Sequence, residues 1–218
     1  HNVSVDGASE KINFLVSAGF LNNPGIVNKT GIERYSIRTN VEAKVSKWLT
    51  VGNRTFGSMQ DSQPGNFGSA NNFLRQTTPG IYPEWKGKYG YPEAQEESAT
   101  ANNILYFLNN QGGKNKSSRI NTTLYTKVYP VKGLRWDFNF NYQKRWDENK
   151  GWTIGNEQVK FSDGSIMKTA TLPEDMSTWF TNYNNYSYTL ENVLNYSTTI
   201  KRDHDLGALV GYNEYYYY

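Results

Sequence analysis

From Leu134 to Gln143 apolar and polar side chains alternate without a break: Leu134, Trp136, Phe138, Phe140 and Tyr142 share one phase, and Arg135, Asp137, Asn139, Asn141 and Gln143 share the other. Period two is the repeat of a β-strand, whose side chains point alternately to its two faces, whereas a helix would scatter both sets around its circumference. At roughly 3.3 Å per residue this stretch reaches about 33 Å, and a strand of that length tilted near 45° crosses roughly 25 Å of hydrocarbon. A half-buried strand of a soluble sandwich alternates in the same way. The rest of the chain decides between the two.

The same repeat predicts strands over about 1–5, 12–21, 33–45, 49–60, 119–130, 134–146, 186–200 and 206–218. Ile12, Phe14, Val16, Ala18 and Phe20 mark one of them, Tyr35, Ile37, Thr39, Val41, Ala43 and Val45 another, and Ile120, Thr122, Leu124, Thr126 and Val128 a third. The breaker cluster Asn22-Asn23-Pro24-Gly25 is expected to stop its strand. Between the strands the period disappears over 61–118 and 147–185. A helical turn or two is expected at Ala101–Leu108, ended by Gly112-Gly113, and a small surface hairpin near the turn signals Asn149-Lys150-Gly151 and Ser162-Asp163-Gly164.

The order of the connections separates the two architectures. Short links at Asp6–Lys11, Ser46–Trp48, Val131–Gly133 and Lys201–Asp205 alternate with long ones at Asn22–Gly31, 61–118 and 147–185. In an up-and-down antiparallel sheet every second connection lies at the same end, so one rim collects the tight turns and the other the large loops. Outer-membrane barrels are sorted in this way, with short periplasmic turns and long extracellular loops. The predicted fold is therefore all-β, an antiparallel up-and-down meander of about eight strands. It reads as one partial segment of a transmembrane β-barrel covering 1–218, with long outward loops.

Composition agrees with thinly spread apolar content: of 218 residues 37% are hydrophobic, while 17 Tyr and 6 Trp suit membrane interfaces or stacking on sugars. No run approaches the roughly 18 apolar residues of a membrane-crossing helix, a test that barrel strands escape because only alternate residues meet lipid. The opening His1-Asn2-Val3-Ser4-Val5 is unlike a signal peptide, which points to an excised piece or a processed chain. With no cysteine, disulfides and thiolate metal sites are excluded. The 23 basic and 20 acidic residues form no cationic stripe, so nucleic acid is not an expected partner.

Chemistry for catalysis is poor. His1 and His204 lack the spacing of a metal pair, and Glu93, Glu96 and Glu97 lie in a polar stretch with nothing to raise the pKa of a glycosidase acid. No enzyme activity, metal site or cofactor is predicted. Binding chemistry is better represented. Tyr82, Trp85, Tyr89 and Tyr91, beside the Pro and Gly of Thr78-Pro79-Gly80, together with Trp152 and Trp179 in the other long loop, are candidates for stacking on a ligand. The bland alternative is a loop that packs its own aromatics to stay ordered. Trp136, Phe138 and Phe140 are candidates for the lipid-facing side, Tyr215–Tyr218 for an aromatic girdle on alternate rings, and Arg38, Glu42, Lys44, Arg135 and Asp137 for the lumen.

Several segments carry a family resemblance: His1-Asn2-Val3-Ser4-Val5 followed by Gly7, Phe20-Leu21-Asn22 with Gly25-Ile26-Val27 and Gly31, Tyr35-Ser36-Ile37-Arg38-Thr39-Asn40, Trp48-Leu49-Thr50-Val51-Gly52, and His204-Asp205-Leu206 with Val210-Gly211-Tyr212. In order and nearly end to end, they resemble the middle section of the barrel of SusC/RagA-class TonB-dependent outer-membrane transporters. That resemblance implies residence in the cell outer membrane, a pore closed by an N-terminal plug and energised by TonB, and uptake of oligosaccharides or peptides with a SusD-class surface lipoprotein. Neither a plug nor a TonB-contacting segment is recognisable here, and eight strands are too few to enclose a plug. This chain is expected to supply wall and outer loops, and to self-associate if isolated, because an unclosed sheet leaves bare edges. The competing expectation is a soluble β-rich carbohydrate-binding module with its apolar faces hidden in a dry core.

Overall fold

The computed structural model describes residues 1–65, 67–77, 81–93, 103–168, 176–200 and 204–218. In chain order the elements are β1 (Asn2–Ala8), β2 (Ile12–Pro24), β3 (Gly31–Lys44), β4 (Leu49–Gln63), α1 (Phe67–Leu74), β5 (Glu84–Trp85), β6 (Lys88–Gly90), α2 (Ile104–Asn110), β7 (Gln111–Val128), β8 (Leu134–Thr153), β9 (Gln158–Val159), β10 (Ile166–Lys168), β11 (Ser177–Ile200) and β12 (His204–Tyr217). Eight of these strands form one sheet in the order β1-β2-β3-β4-β7-β8-β11-β12, every neighbour antiparallel. It is an up-and-down meander with β1 and β12 at its edges.

Register carries the two phases of β8 across the whole sheet. Phe140 pairs with Leu124 and Leu190, and Trp136 with Val128 and Leu194. Leu124 in turn pairs with Asn53, Asn53 with Val41, and Val41 with Phe14. The opposite phase is polar: Asn141 pairs with Thr123 and Thr189, Thr123 with Arg54, and Arg54 with Asn40. A slip of one residue anywhere would exchange the two faces, so the contrast between them fixes the register.

The strands run further toward the long-loop end than alternation predicts. β7 begins at Gln111, β8 continues to Thr153 and β11 begins at Ser177, so the connections between strands of the large sheet shrink from 61–118 and 147–185 to 64–110 and 154–176. Beyond the apolar belt neither face needs to be greasy, so the hydrogen-bond ladder persists where the hydrophobic period is gone. Asn149-Lys150-Gly151 therefore lies inside β8, paired with Asn115, Lys114 and Gly113, and is not a turn. Gly112-Gly113 continues α2 into β7, where the expectation was a helix stop. β2 also runs through Asn22-Asn23 to Pro24, whose missing N–H costs nothing at a strand end. At the other rim β1 extends to Ala8, and Ser9 closes the turn, its hydroxyl accepting from Lys11 N and Ile12 N.

The two long connections are joined in a small second sheet of order β10-β9-β6-β5, in which β6 and β9 pair in parallel. Gly164, with φ +76°, makes the turn between β9 and β10. Of the four buried hydrophobic residues among the described ones, Ile81, Tyr106 and Val159 belong to this cap and Tyr125 to the large sheet.

Candidate functional site

On the polar face, side chains satisfy one another in short networks. Glu42 accepts from the Tyr125 hydroxyl and from Lys127 Nζ, both at 2.9 Å, and the Arg54 guanidinium lies 4.8 Å from the Tyr125 ring centre. Arg135 bonds Asp137 at 2.8 Å, and Asp137 also accepts from Asn195 at 3.1 Å. Asn141 donates to Asn121 and to Thr123, both at 2.8 Å. Arg38 lies 5.8 Å from the Phe56 ring centre. This is a polar wall of amides, hydroxyls and paired charges.

The other face carries Trp136, Phe138 and Phe140, with Trp136 40% exposed and its indole N–H donating to Asn192 at 3.3 Å. No second sheet packs over these rings among the described residues. Several polar groups on this face are paired: Asn53 donates to Thr122 at 3.1 Å, and the Thr55 and Thr122 hydroxyls meet at 2.7 Å. Such mutual satisfaction is what a hydrocarbon environment demands. Rings gather toward the long-loop end of the face, where Tyr186 lies 5.5 Å from Tyr218 and Tyr188 stacks on Tyr216 at 5.1 Å. Tyr215 and Tyr217 alternate to the polar face, where Tyr217 accepts a hydrogen bond from Asn185.

The six loop aromatics separate into three groups. Tyr82 and Trp85 flank Phe161 edge-on, with centroids at 5.1 and 6.3 Å, and both remain half exposed; Lys86 Nζ lies 4.3 Å from the Trp85 ring. Tyr89 packs edge-on against Tyr106 at 6.0 Å, and burial followed by the nearby Glu84 charge pushes its phenol pKa up. Tyr91 is half-buried, its N–H donating to Val159 O. Trp152 and Trp179 lie on opposite faces of the sheet, each covering the glycine directly across from it, Gly112 and Gly151. Thr78-Pro79-Gly80, Glu96 and Glu97 lie outside the described residues.

Two residues that hold the cap together carry no sequence signal. Asn103, fully buried, caps α2 by accepting from Tyr106 N while its amide donates to Tyr82 O, Pro83 O and Gly90 O at 3.1, 2.6 and 3.0 Å. Phe161 joins the loops by stacking and by donating its N–H to Glu93. Ser162 bonds the same carboxylate through both its hydroxyl and its N–H, and these contacts hold the Glu93 pKa below the usual range.

Among the described residues no helix is long and apolar enough to cross a membrane, a test that does not bear on β-barrels. No family model matches the chain. It is 26% identical over 210 residues to TonB-dependent receptor P26 of Formosa agariphila, covering 96% of this chain and 20% of that protein. It is 25% identical over 215 residues to TonB-dependent receptor P39 of the same organism, covering 97% and 19%. The chain thus spans about a fifth of the length of these relatives. Among solved structures it superposes on the RagAB peptide importer in its closed-closed and open-open states, each with a TM-score of 0.75 at 20% identity, covering 99% of this chain and 24% of that one. Eight antiparallel strands with sorted loops therefore match a partial segment of a β-barrel, and the chain resembles the SusC/RagA class of TonB-dependent outer-membrane transporters, in sequence through the TonB-dependent receptors and in fold through RagAB.

Proposed function

We propose that this chain forms part of the wall and outer loops of a TonB-dependent outer-membrane importer that takes up oligosaccharides or peptides with a SusD-class surface lipoprotein. TonB would act through a plug outside these 218 residues. The observation that carries the reading is the single-layer sheet: one face apolar and uncovered, the other lined with paired polar groups, and the long loops sorted to one rim. A soluble carbohydrate-binding module would hide the apolar face in a core, and only four buried hydrophobic side chains occur among the described residues. The names of the relatives, receptors and a peptide importer, support transport over catalysis.

In this reading Trp136, Phe138 and Phe140 meet lipid. Tyr82 and Trp85 stand at the exposed edge of the cap, where a substrate or the lipoprotein arrives, and Trp179 faces the lumen at its outer mouth. Tyr89 and Tyr91 hold the cap together. The test is uptake by cells whose full receptor carries Tyr82→Ala and Trp85→Ala, with labelled oligosaccharides and peptides supplied separately. Loss of uptake of one class with normal receptor abundance supports the reading. Undiminished uptake of both classes removes the cap aromatics from it, and fractionation of the receptor away from the outer membrane removes the whole proposal.

A further inference from the structure

We infer that the outer end of the apolar face binds the phosphate groups of an outer-leaflet glycolipid, an inference that rests on the outer-membrane reading above. Beyond the apolar belt a cleft of about 690 Å³ opens among Lys29, Lys114, Lys150, Trp152 and Phe180, with Trp179 of the opposite phase also at its lining. Register fixes its side. Lys114 pairs with Lys150 and Lys150 with Phe180, in the same phase as Phe138 and Phe140, so these side chains project toward the membrane surface and away from the polar, lumenal face.

The charge pattern asks for an anion. Lys114 and Lys150 stand directly opposite each other on neighbouring strands, an arrangement that destabilises a ladder unless something negative lies between them. Lys29 joins them from the β2–β3 loop with its Nζ 5.9 Å from the Trp152 ring centre. Three ammonium groups line the cleft and no carboxylate does. Lys114 reaches Asp61 at 2.7 Å, but Lys150 approaches Glu148 only at 3.9 Å. Lysine is a point charge suited to phosphate. Trp152, laid flat over Gly112, offers an indole for a sugar ring beside that phosphate.

The neighbouring surface supplies the rest of an amphipathic ligand's footprint. On the same face an apolar groove of about 730 Å³ is lined by Phe20, Tyr35, Ile37, Met59, Ile120 and Trp146. Trp146 lies four residues before Lys150 on β8, roughly 13 Å along the strand, so acyl chains in the groove and phosphates at the lysines fit one molecule.

The test uses the full receptor that contains this chain, purified in detergent and then reconstituted in phosphatidylcholine vesicles with and without lipopolysaccharide. Retained lipopolysaccharide is measured for wild type, Lys29→Glu/Lys150→Glu, the milder Lys29→Gln/Lys150→Gln, and Lys132→Glu at the opposite rim. Removing two cations beside an anionic lipid surface is expected to lower retention about thirtyfold, with Lys132→Glu unchanged. Heat-modified gel mobility confirms that each variant is folded, and the glutamine pair covers the case in which charge reversal blocks folding. Equal retention by the glutamine pair and wild type overturns the inference. So does equal retention of phosphatidylglycerol, which would make the cleft a general anionic surface, or full displacement by inorganic phosphate, which would make the ligand soluble. A receptor that enters the outer membrane and imports cargo while showing one of these results leaves the transport reading standing; one that never enters the membrane takes both down.

Discussion

Replacing Gly52 with alanine reverses the sign that strand glycines ordinarily show. A glycine inside a strand is worth roughly 0.5–1 kcal/mol less than alanine because it surrenders more backbone entropy on folding. Here a Cβ at position 52 would sit 2.1 Å from Tyr125 Cζ and 2.4 Å from its hydroxyl oxygen. The ring must leave, and with it go the 2.9 Å hydrogen bond to the Glu42 carboxylate and the contact with Arg54. A hydrogen bond to a charged acceptor is worth about 1.5–3 kcal/mol and an exposed cation–π contact about 0.5–1 kcal/mol. Set against the alanine gain, Gly52→Ala should destabilise the sheet by about 2 kcal/mol. Urea unfolding of the full receptor in micelles, followed by tryptophan fluorescence, measures the change. Introducing the same substitution into a Tyr125→Ala background isolates the cause, because without the ring alanine should be neutral or slightly stabilising. A Gly52→Ala protein as stable as wild type, or one equally destabilised in both backgrounds, would falsify the argument that the ring occupies the space of the missing side chain.

Other outcomes follow from the same geometry. Arginine at Phe138 or Phe140 should cost about 2–4 kcal/mol of insertion stability, and lysine at Asn139, on the polar face, close to none; equal effects in a membrane-folding titration would remove the assignment of faces. Asn103→Ala should unlatch the cap while leaving the eight-stranded sheet intact, seen as faster amide exchange in 81–93 with β7 and β8 protected; uniform protection would show that Asn103 latches nothing. Glu93 has a lowered pKa through its Ser162 hydroxyl bond and the backbone N–H groups of Ser162 and Phe161, so its contribution to docking the two loops is present above the ordinary glutamate pKa and lost as pH falls through the lower folded value. Proteolysis near Phe161 should therefore accelerate in acid, and Glu93→Gln should already show the faster rate at neutral pH. Residues 1–218 expressed alone should associate through the edges of β1 and β12, and a monodisperse monomer in sizing experiments without detergent would contradict the bare-edge picture.

How far the sequence speaks depends on whether a face has to choose its solvent. Within the belt each strand separates an apolar face from a polar one, so alternation at Phe14–Phe20, Tyr35–Ala43 and Leu134–Tyr142 announces both the strand and the residues that share each face. Above the belt the ladder continues through Asn115, Asn149 and Asn182 with polar residues in both phases, and no period records it. Glycine misleads there for a related reason. Gly112 and Gly151 read as breakers, yet each is the floor for a tryptophan on the neighbouring strand, and Gly7 beneath Phe14 and Gly52 beneath Tyr125 repeat the arrangement. A pairing of this kind is invisible until register is known, because glycine and ring are between seven and 73 positions apart in the chain. The candidate site divides along the same line. Aromatic composition singled out Trp152 and Trp179 as one group, but their phases in β8 and β11 send them to opposite faces of the sheet, and only the ladder reveals that separation. Asn103 and Phe161 are harder still: Asn103 reaches back to Tyr82, Pro83 and Gly90 within its own loop, and Phe161 reaches from the second loop to Tyr82, Trp85 and Glu93 in the first, contacts between segments with no period of their own.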